Sequence, residues 1–244
     1  TSLFYSKNEN TVEELSDGLD SFVYNNSTDN NIAVKATKGG SIGDIYGKVF
    51  TGEVDANGFP IGSAAPTELL GNAQPDWLGG WSNTIRYKDL SMSFSIDARI
   101  GGQVYSQTSA DLDRNGVSER SLKYRETGIT VEGINTGTGA QNSVGITGQE
   151  YWTAMSNISE NYIYDQDNIR LRELSVGYSI PNTDKLGIQS ASIQLVGRNL
   201  FFFSKSAEDI DPESMLGTSL GVQGMSHMAM PTLRSLGLNL TLNF

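Results

Sequence analysis

The 244-residue sequence contains no cysteine. A disulfide framework, a thiolate metal site and a cysteine nucleophile are therefore excluded. It has a single histidine, His227, so it cannot build a His-rich metal cluster or a catalytic set that needs a second imidazole. No nucleophile–base–orienter set or paired-acid motif is visible, which argues against an enzyme. Positive charge is in deficit: 17 Lys and Arg stand against 28 Asp and Glu, a formal charge of −11. That balance makes phosphate-directed binding of nucleic acid a poor expectation. No apolar run approaches the ~18 residues of a transmembrane helix. The first segment, TSLFYSKNENTVEEL, has neither a basic start nor an apolar stretch, so it does not read as a signal peptide. The sequence begins with Thr1, and the expectation is either that a signal peptide has been removed or that the chain is a piece of a longer one.

The informative feature is a period of two. Leu236, Leu238, Leu240, Leu242 and Phe244 share one parity, with Ser235, Gly237, Asn239, Thr241 and Asn243 on the other. Leu90, Met92, Phe94, Ile96, Ala98 and Ile100 alternate in the same way with Ser91, Ser93, Ser95, Asp97 and Arg99. Such spacing scatters around a helix but lines one face of a strand. Upstream, Trp81, Ile85 and Tyr87 share a parity. A two-residue turn at Lys88-Asp89 sets Tyr87 against Leu90, Ile85 against Met92 and Trp81 against Ile96, so the apolar faces coincide. Leu174, Val176, Tyr178 and Ile180 form a further face, ended by Pro181. Ala191, Ile193 and Leu195 lead into NLFFF at 199–203. Weaker patterns lie at Ile42–Glu53 and around Leu3–Tyr5. The expectation is six strands, at 42–53, 79–87, 90–105, 169–180, 191–203 and 233–244, plus a partial strand at the start.

The connections alternate in length. Lys88-Asp89 and 181–190 are short, whereas 54–78, 106–168 and 204–232 are long and polar. A soluble β-sandwich also alternates, but its strands usually run ~5–6 residues. Parity held over 90–100 and 235–244 matches the ~9–11 residues that cross a bilayer as a strand. Short turns on one side and long loops on the other are features of a transmembrane antiparallel β-barrel. Tyr87, Tyr178 and Phe244 then lie near the short-turn end, as part of an aromatic girdle.

Several clusters carry chemistry. Asp111-Leu112-Asp113-Arg114-Asn115-Gly116 begins like an EF-hand loop, which would gather oxygens around Ca²⁺. Position twelve is Leu122 rather than the bidentate Glu, and Glu119 at position nine is a partial substitute, so an Asx-rich turn is the other reading. Tyr151, Trp152, Tyr162 and Tyr164 could stack on a substrate, or serve as girdle and loop packing. Arg170, Arg172 and Arg234 share the outward parity of their strands, beyond the apolar stretch. Contact with lipopolysaccharide headgroups is one expectation there, and solvated or loop-paired arginine the other. Asp97 and Arg99 face the polar side, where pairing with charges of the wall or of whatever fills the barrel is expected. Asp209, Asp211 and Glu213 read as loop-forming. His227 lies among Met225, Met228 and Met230, which could hold a soft metal or simply pack.

PDWLGGWSNTIRYKDLSMSFSIDARIGGQVYS at 75–106 and YDQDNIRLRELSVGYSIP at 164–181 resemble characteristic barrel segments of SusC/RagA-like TonB-dependent outer-membrane transporters. GRNLFFF at 197–203, DIDPE at 209–213 and PTLRSLGLNLTLNF at 231–244 follow in the family's order, so the resemblance covers about 42–244. Asp167 and Asn168, and Phe59-Pro60, depart from its pattern. The resemblance implies a 22-stranded barrel with an N-terminal plug, of which this chain is the C-terminal portion, lacking the plug and the N-terminal strands. It implies import of oligosaccharides or peptides with a SusD-like lipoprotein, TonB coupling through the missing part, and an outer-membrane location. The 233–244 strand then runs toward the periplasm, the long loops are extracellular, and Phe244 is part of the signal for barrel assembly. No cofactor is implied. A non-transporting surface protein that uses long loops for adhesion is the alternative. Parity makes a prediction: in the intact membrane protein Leu238→Arg should cost about 2–4 kcal/mol of stability and reduce assembly, while Asn239→Arg is milder. Equal assembly of the two variants, read as the folded fraction on heat-modifiability gels, would mean the faces are assigned wrongly.

Overall fold

The computed structural model describes residues 1–26, 31–181, 183, 187–207 and 209–244. Six strands make one antiparallel sheet: β1 (Ser2–Ser6), β2 (Trp77–Tyr87), β3 (Leu90–Ile100), β4 (Asn168–Ile180), β5 (Ser190–Lys205) and β6 (Ser235–Asn243). They lie side by side in chain order, with β1 and β6 at the edges. The apolar alternation aligns from strand to strand. Ile85 pairs with Met92, Met92 with Val176, Val176 with Leu195 and Leu195 with Leu238, so one apolar row crosses five strands. The adjacent row is Arg86, Ser91, Gly177, Gln194 and Asn239. The apolar face is exposed, with Leu236 81%, Leu238 62% and Leu195 61% accessible. On the polar face Ser82 donates to Ser95 and Thr84 bonds Ser93 across the β2–β3 pair, at 3.0 and 2.9 Å.

The turn at Lys88-Asp89 closes β2 and β3 in the expected register. Lys88 takes a left-handed φ of 54°, which a primed hairpin turn requires at its first central position. The connection at 181–190 falls partly on residues outside those described.

Three expectations change. The strand expected over 90–105 ends at Ile100, and Gln103–Ser106 joins another sheet after Gly101 and Gly102, both at left-handed φ. The 42–53 segment is not a strand of the long sheet; that place is taken by Ser2–Ser6, paired to β2 with Leu3 opposite Trp81. Glycines interrupt 42–53, with Gly43 and Gly52 at φ of 92° and 79°, and it splits into Asp44–Gly47 and Phe50–Val54 in two separate small sheets. The first long connection therefore runs over 7–76.

The long connections are also folded rather than irregular. Ser21–Asn26, Ile32–Thr37, Asp44–Gly47 and Glu68–Asn72 form one four-stranded sheet, and Gln103–Ser106 lies between Ile163–Asp165 and Met225–Ser226 in another. One core joins all three connections: Ile32, Val34, Ile45 and Ala73 from the first, Tyr105, Ala110 and Tyr162 from the second, and Met225 from the third. Burial of these side chains, at about 25 cal/mol per Å² of apolar surface, is what holds the cap together. Two helices complete it. Helix α1 (Gln107–Arg114) is capped by the Ser106 hydroxyl, which accepts from Ser109 N. Helix α2 (Gly148–Met155) starts with a Thr147–Glu150 capping box, which satisfies otherwise unpaired amides.

At the centre of the cap Asp113 is fully buried. Its carboxylate accepts from the Ser118 hydroxyl at 2.5 Å, Arg120 Nε at 2.6 Å and the Tyr162 hydroxyl at 2.9 Å. The Arg120 guanidinium lies 4.7 Å from the Tyr162 ring centre and 5.4 Å from that of Trp152. Burial, first, and the nearby Asp113 charge push the Tyr162 hydroxyl well above the usual phenol range. Removing Asp113 leaves this arginine without its partner. Asp113→Ala should therefore destabilise the cap by about 3 kcal/mol, the low end for a broken buried pair because Arg120 keeps part of its surface in water. Limited proteolysis of the intact protein reads this as faster cleavage within 101–167; unchanged cleavage would show that the pair is not what holds the segment.

Candidate functional site: the polar face under the cap

Where the cap meets the polar face of the sheet, β4 carries one extra residue. The register shifts between Leu171 and Glu173. A one-residue bulge exchanges the faces of everything beyond it. Leu171 thus lies opposite Ile96 on the apolar face, and Arg170 lies opposite Asp97 on the polar one. The outward placement expected for Arg170 and Arg172 is therefore corrected. Parity counted back from Val176 cannot register a bulge. Arg234 lies beyond the bulged strand and stays exposed.

The two arginines form a clamp. Arg170 is 2% exposed; its Nη1 donates to Glu213 Oε2 at 2.7 Å and its Nη2 to the Thr232 hydroxyl. Its guanidinium also lies 4.6 Å from the Phe202 ring centre. Arg172 donates through Nε to Asp97 Oδ2 at 2.6 Å and through Nη1 and Nη2 to both oxygens of Glu213. Such forked, charge-assisted pairs are the stronger class of hydrogen bond. Asp211 holds the same loop from inside. It accepts from Glu213 N at 3.0 Å, Thr232 N at 2.9 Å and the Thr232 hydroxyl at 2.6 Å. Burial opposes the Asp211 charge, but these hydrogen bonds and Arg170 outweigh it and keep its pKa below the ordinary aspartate value. The acidic 209–213 run thus has a defined task in Asp211 and Glu213, tying the third connection to β4.

Beside the clamp is a cavity of about 340 Å³, lined by Phe4, Leu78, Arg99, Gln166, Glu213 and Met215 among others. Arg99 reaches across it, donating through Nη2 to Ala73 O at 2.8 Å and to Gln166 Oε1 at 2.6 Å. Gln166 is held in turn, with its Nε2 donating to Pro212 O at 3.0 Å and its carbonyl accepting from Asn168 at 2.9 Å. Asp167 accepts from Gly101 N at 2.6 Å. Asp167 and Asn168, which depart from the pattern of the family the sequence resembles, therefore fix the chain where β3 and β4 leave the sheet. Sequence reasoning placed Asp97 and Arg99 on this face, but it gave no sign of Gln166 or of the loop residues that complete the cavity.

The aromatic candidates lie elsewhere, within the cap. Tyr151 meets Trp152 and Tyr124 edge-on, with ring centres at 5.0 and 5.4 Å. Trp152 is 9% exposed and its indole donates to Lys123 O at 3.1 Å. Tyr162 is fully buried against Arg120. Those two rings are committed to packing and offer no face to a ligand, whereas Tyr151 and Tyr164 are half-buried. The EF-hand-like run is also used structurally. Asp111 and Asp113 belong to α1, Asp113 points into the core, and Asn115 Nδ2 donates back to Asp111 O at 2.7 Å. The oxygen cage of the Ca²⁺ reading therefore does not form, because helical geometry carries Asp111 and Asp113 apart. His227 Nε2 stands 3.3 Å from Asp111 Oδ2, Met225 is buried in the core, and Met228 and Met230 are exposed.

No family model matches the chain. Curated relatives do. TonB-dependent receptor P3 of Formosa agariphila is 24% identical over 279 aligned residues, which take in 100% of this chain and 26% of that protein. TonB-dependent receptor P26 of the same organism is 30% identical over 203 residues, 77% of this chain and 19% of the relative. The chain thus spans about a quarter or less of their lengths. Among solved structures, the RagAB peptide importer in its closed-closed state superposes with a TM-score of 0.62 at 19% identity, covering 99% of this chain and 27% of that one. A further structure of the RagAB peptide transporter gives 0.66 at 17% identity, with the same coverage. At that identity the structures bear on the fold, and they share it across nearly the whole chain. Over its whole length the chain is homologous to TonB-dependent receptors, a non-enzymatic family of outer-membrane proteins.

Proposed function

We propose that the chain forms the C-terminal section of the transmembrane β-barrel of a SusC-like, TonB-dependent importer. The observation that carries this reading is the set of apolar rows that cross the sheet and stay exposed. In water such a face is a liability, and in a bilayer it is the required surface. Leu90, Met92, Phe94, Ile96, Leu236, Leu238, Leu240 and Leu242 then face lipid. Among the described residues β1 and β6 are each bonded on one side only, so further strands must continue the wall in a membrane, where open edges are not tolerated. Those strands, the plug and the TonB-contacting segment belong to the rest of the polypeptide.

The turn at Lys88-Asp89 and Phe244 lie at the periplasmic end, with Phe244 read by the assembly machinery. The folded cap is extracellular and seats a SusD-like lipoprotein. Arg234 lies level with lipopolysaccharide headgroups. The cargo is an oligosaccharide or a peptide, and the likeness to the RagAB peptide importer favours the peptide. Tyr151 and Tyr164 are the aromatic side chains left to meet it.

Fractionation tests the reading. The intact protein carrying this chain should sediment with outer membranes and extract into detergent together with a surface lipoprotein. Deleting 206–234 should lose the lipoprotein and leave the membrane association. Recovery of the protein as a soluble folded monomer would contradict the assignment.

A further inference from the structure

We propose that the cavity on the polar face is a carboxylate-binding site whose cation is Arg99. The inference rests on the importer reading, which turns this face toward the interior of the barrel.

The pairing of charges around the cavity points there. Three guanidinium groups, Arg99, Arg170 and Arg172, share the region with four carboxylates: Asp97 and Glu213, and, bonded to loop backbone, Asp167 and Asp211. Both oxygens of Glu213 are taken by Arg170 and Arg172, and Asp97 by Arg172. Among the described residues Arg99 has no carboxylate oxygen within 4.0 Å of its guanidinium nitrogens. Its Nη2 is spent on two neutral oxygens, those of Ala73 and Gln166. Its buried Nε has no acceptor. Nη1 has no partner among the described residues and is not sealed off, so it is the donor left to the cavity. An arginine withdrawn from water without a counter-charge is costly, and an anion placed beside it recovers much of that cost.

The lining chooses among anions. Phe4, Leu78, Pro212 and Met215 surround the charged groups with apolar surface. A small, fully hydrated inorganic anion gains nothing from that surface, whereas a carboxylate on an organic body uses both parts. The volume of about 340 Å³ lies in the range of small-ligand sites. Gln166, Asn168 and Pro212 brace one another, so the cavity is built in advance. The carboxylate has two possible sources, the passing cargo or a side chain of the domain that fills the barrel.

The test uses the intact transporter in detergent, as wild type, Arg99→Gln and Arg99→Lys, with N-acetylphenylalanine and its carboxamide as probes in calorimetry. If cargo supplies the carboxylate, the acid binds wild type about tenfold or more tightly than the amide, as befits a charge-assisted hydrogen bond. Arg99→Gln abolishes the difference and Arg99→Lys keeps part of it. If the plug supplies it, wild type binds neither probe, and carbodiimide labelling of a plug carboxylate rises in Arg99→Gln. Two results overturn the proposal: no discrimination between the probes in wild type together with unchanged plug labelling in Arg99→Gln, or a preference for the acid that survives Arg99→Gln. The probe comparison in wild type needs no variant, so a variant that fails to assemble does not remove the test. Outer-membrane fractionation of wild type reports on the importer reading separately.

Discussion

Apolar side chains that alternate along one strand must meet apolar side chains on the next, and here they do so across five strands without a slip. From Ile85 to Leu238 each member of the row faces its like, and the neighbouring row from Arg86 to Asn239 is polar or small. A one-residue slip anywhere between them would turn a strand's leucines into the polar face. The rest of the molecule depends on this alignment. It sets the direction in which each long connection leaves the sheet, and it provides the polar face on which the cap is seated.

The cap is fastened by charge as well as by its core. Glu213 reaches from the third connection to Arg170 and Arg172 on β4, and Asp211 braces the same loop through Thr232. The bulge in β4 is what makes this possible, since it carries Arg170 away from the apolar face and sets it opposite Asp97. A departure from regular pairing thus places the charged groups next to the cavity that Arg99 spans. The proposed importer requires such a junction, because loops that receive cargo must be held in register with the wall behind them.

Much of the sheet was legible in the sequence because alternation is a local signal. The pairing of Tyr87 with Leu90 and Trp81 with Ile96 follows from parity and a two-residue turn alone. The loops were not legible for the converse reason. Ile32, Tyr105, Tyr162 and Met225 meet in one core although they are far apart in the chain, and their flanking sequences carry no sustained period. The same absence of period concealed the division of 42–53 into two short strands, and the brevity of Ser2–Ser6 made it look partial. Arg170 and Arg172 were misplaced because a bulge leaves no mark on a parity count. Asp113 resembled a calcium ligand from its spacing, whereas its helix directs it to Arg120 and Tyr162. Gln166 carried no signal, since its role exists only once Arg99 and Pro212 are beside it.

The central claim, that one face of the sheet meets lipid and the other an aqueous interior, can be read one residue at a time on β6. The chain contributes no native cysteine, so single cysteines placed successively at 236–243 in the intact protein can be probed in outer membranes with a membrane-impermeant maleimide. Labelling should alternate: Gly237→Cys, Asn239→Cys and Thr241→Cys reactive, and Leu236→Cys, Leu238→Cys and Leu240→Cys protected until the membrane is dissolved. Uniform labelling along the strand, or reactivity at the leucine positions in the intact membrane, would contradict the account.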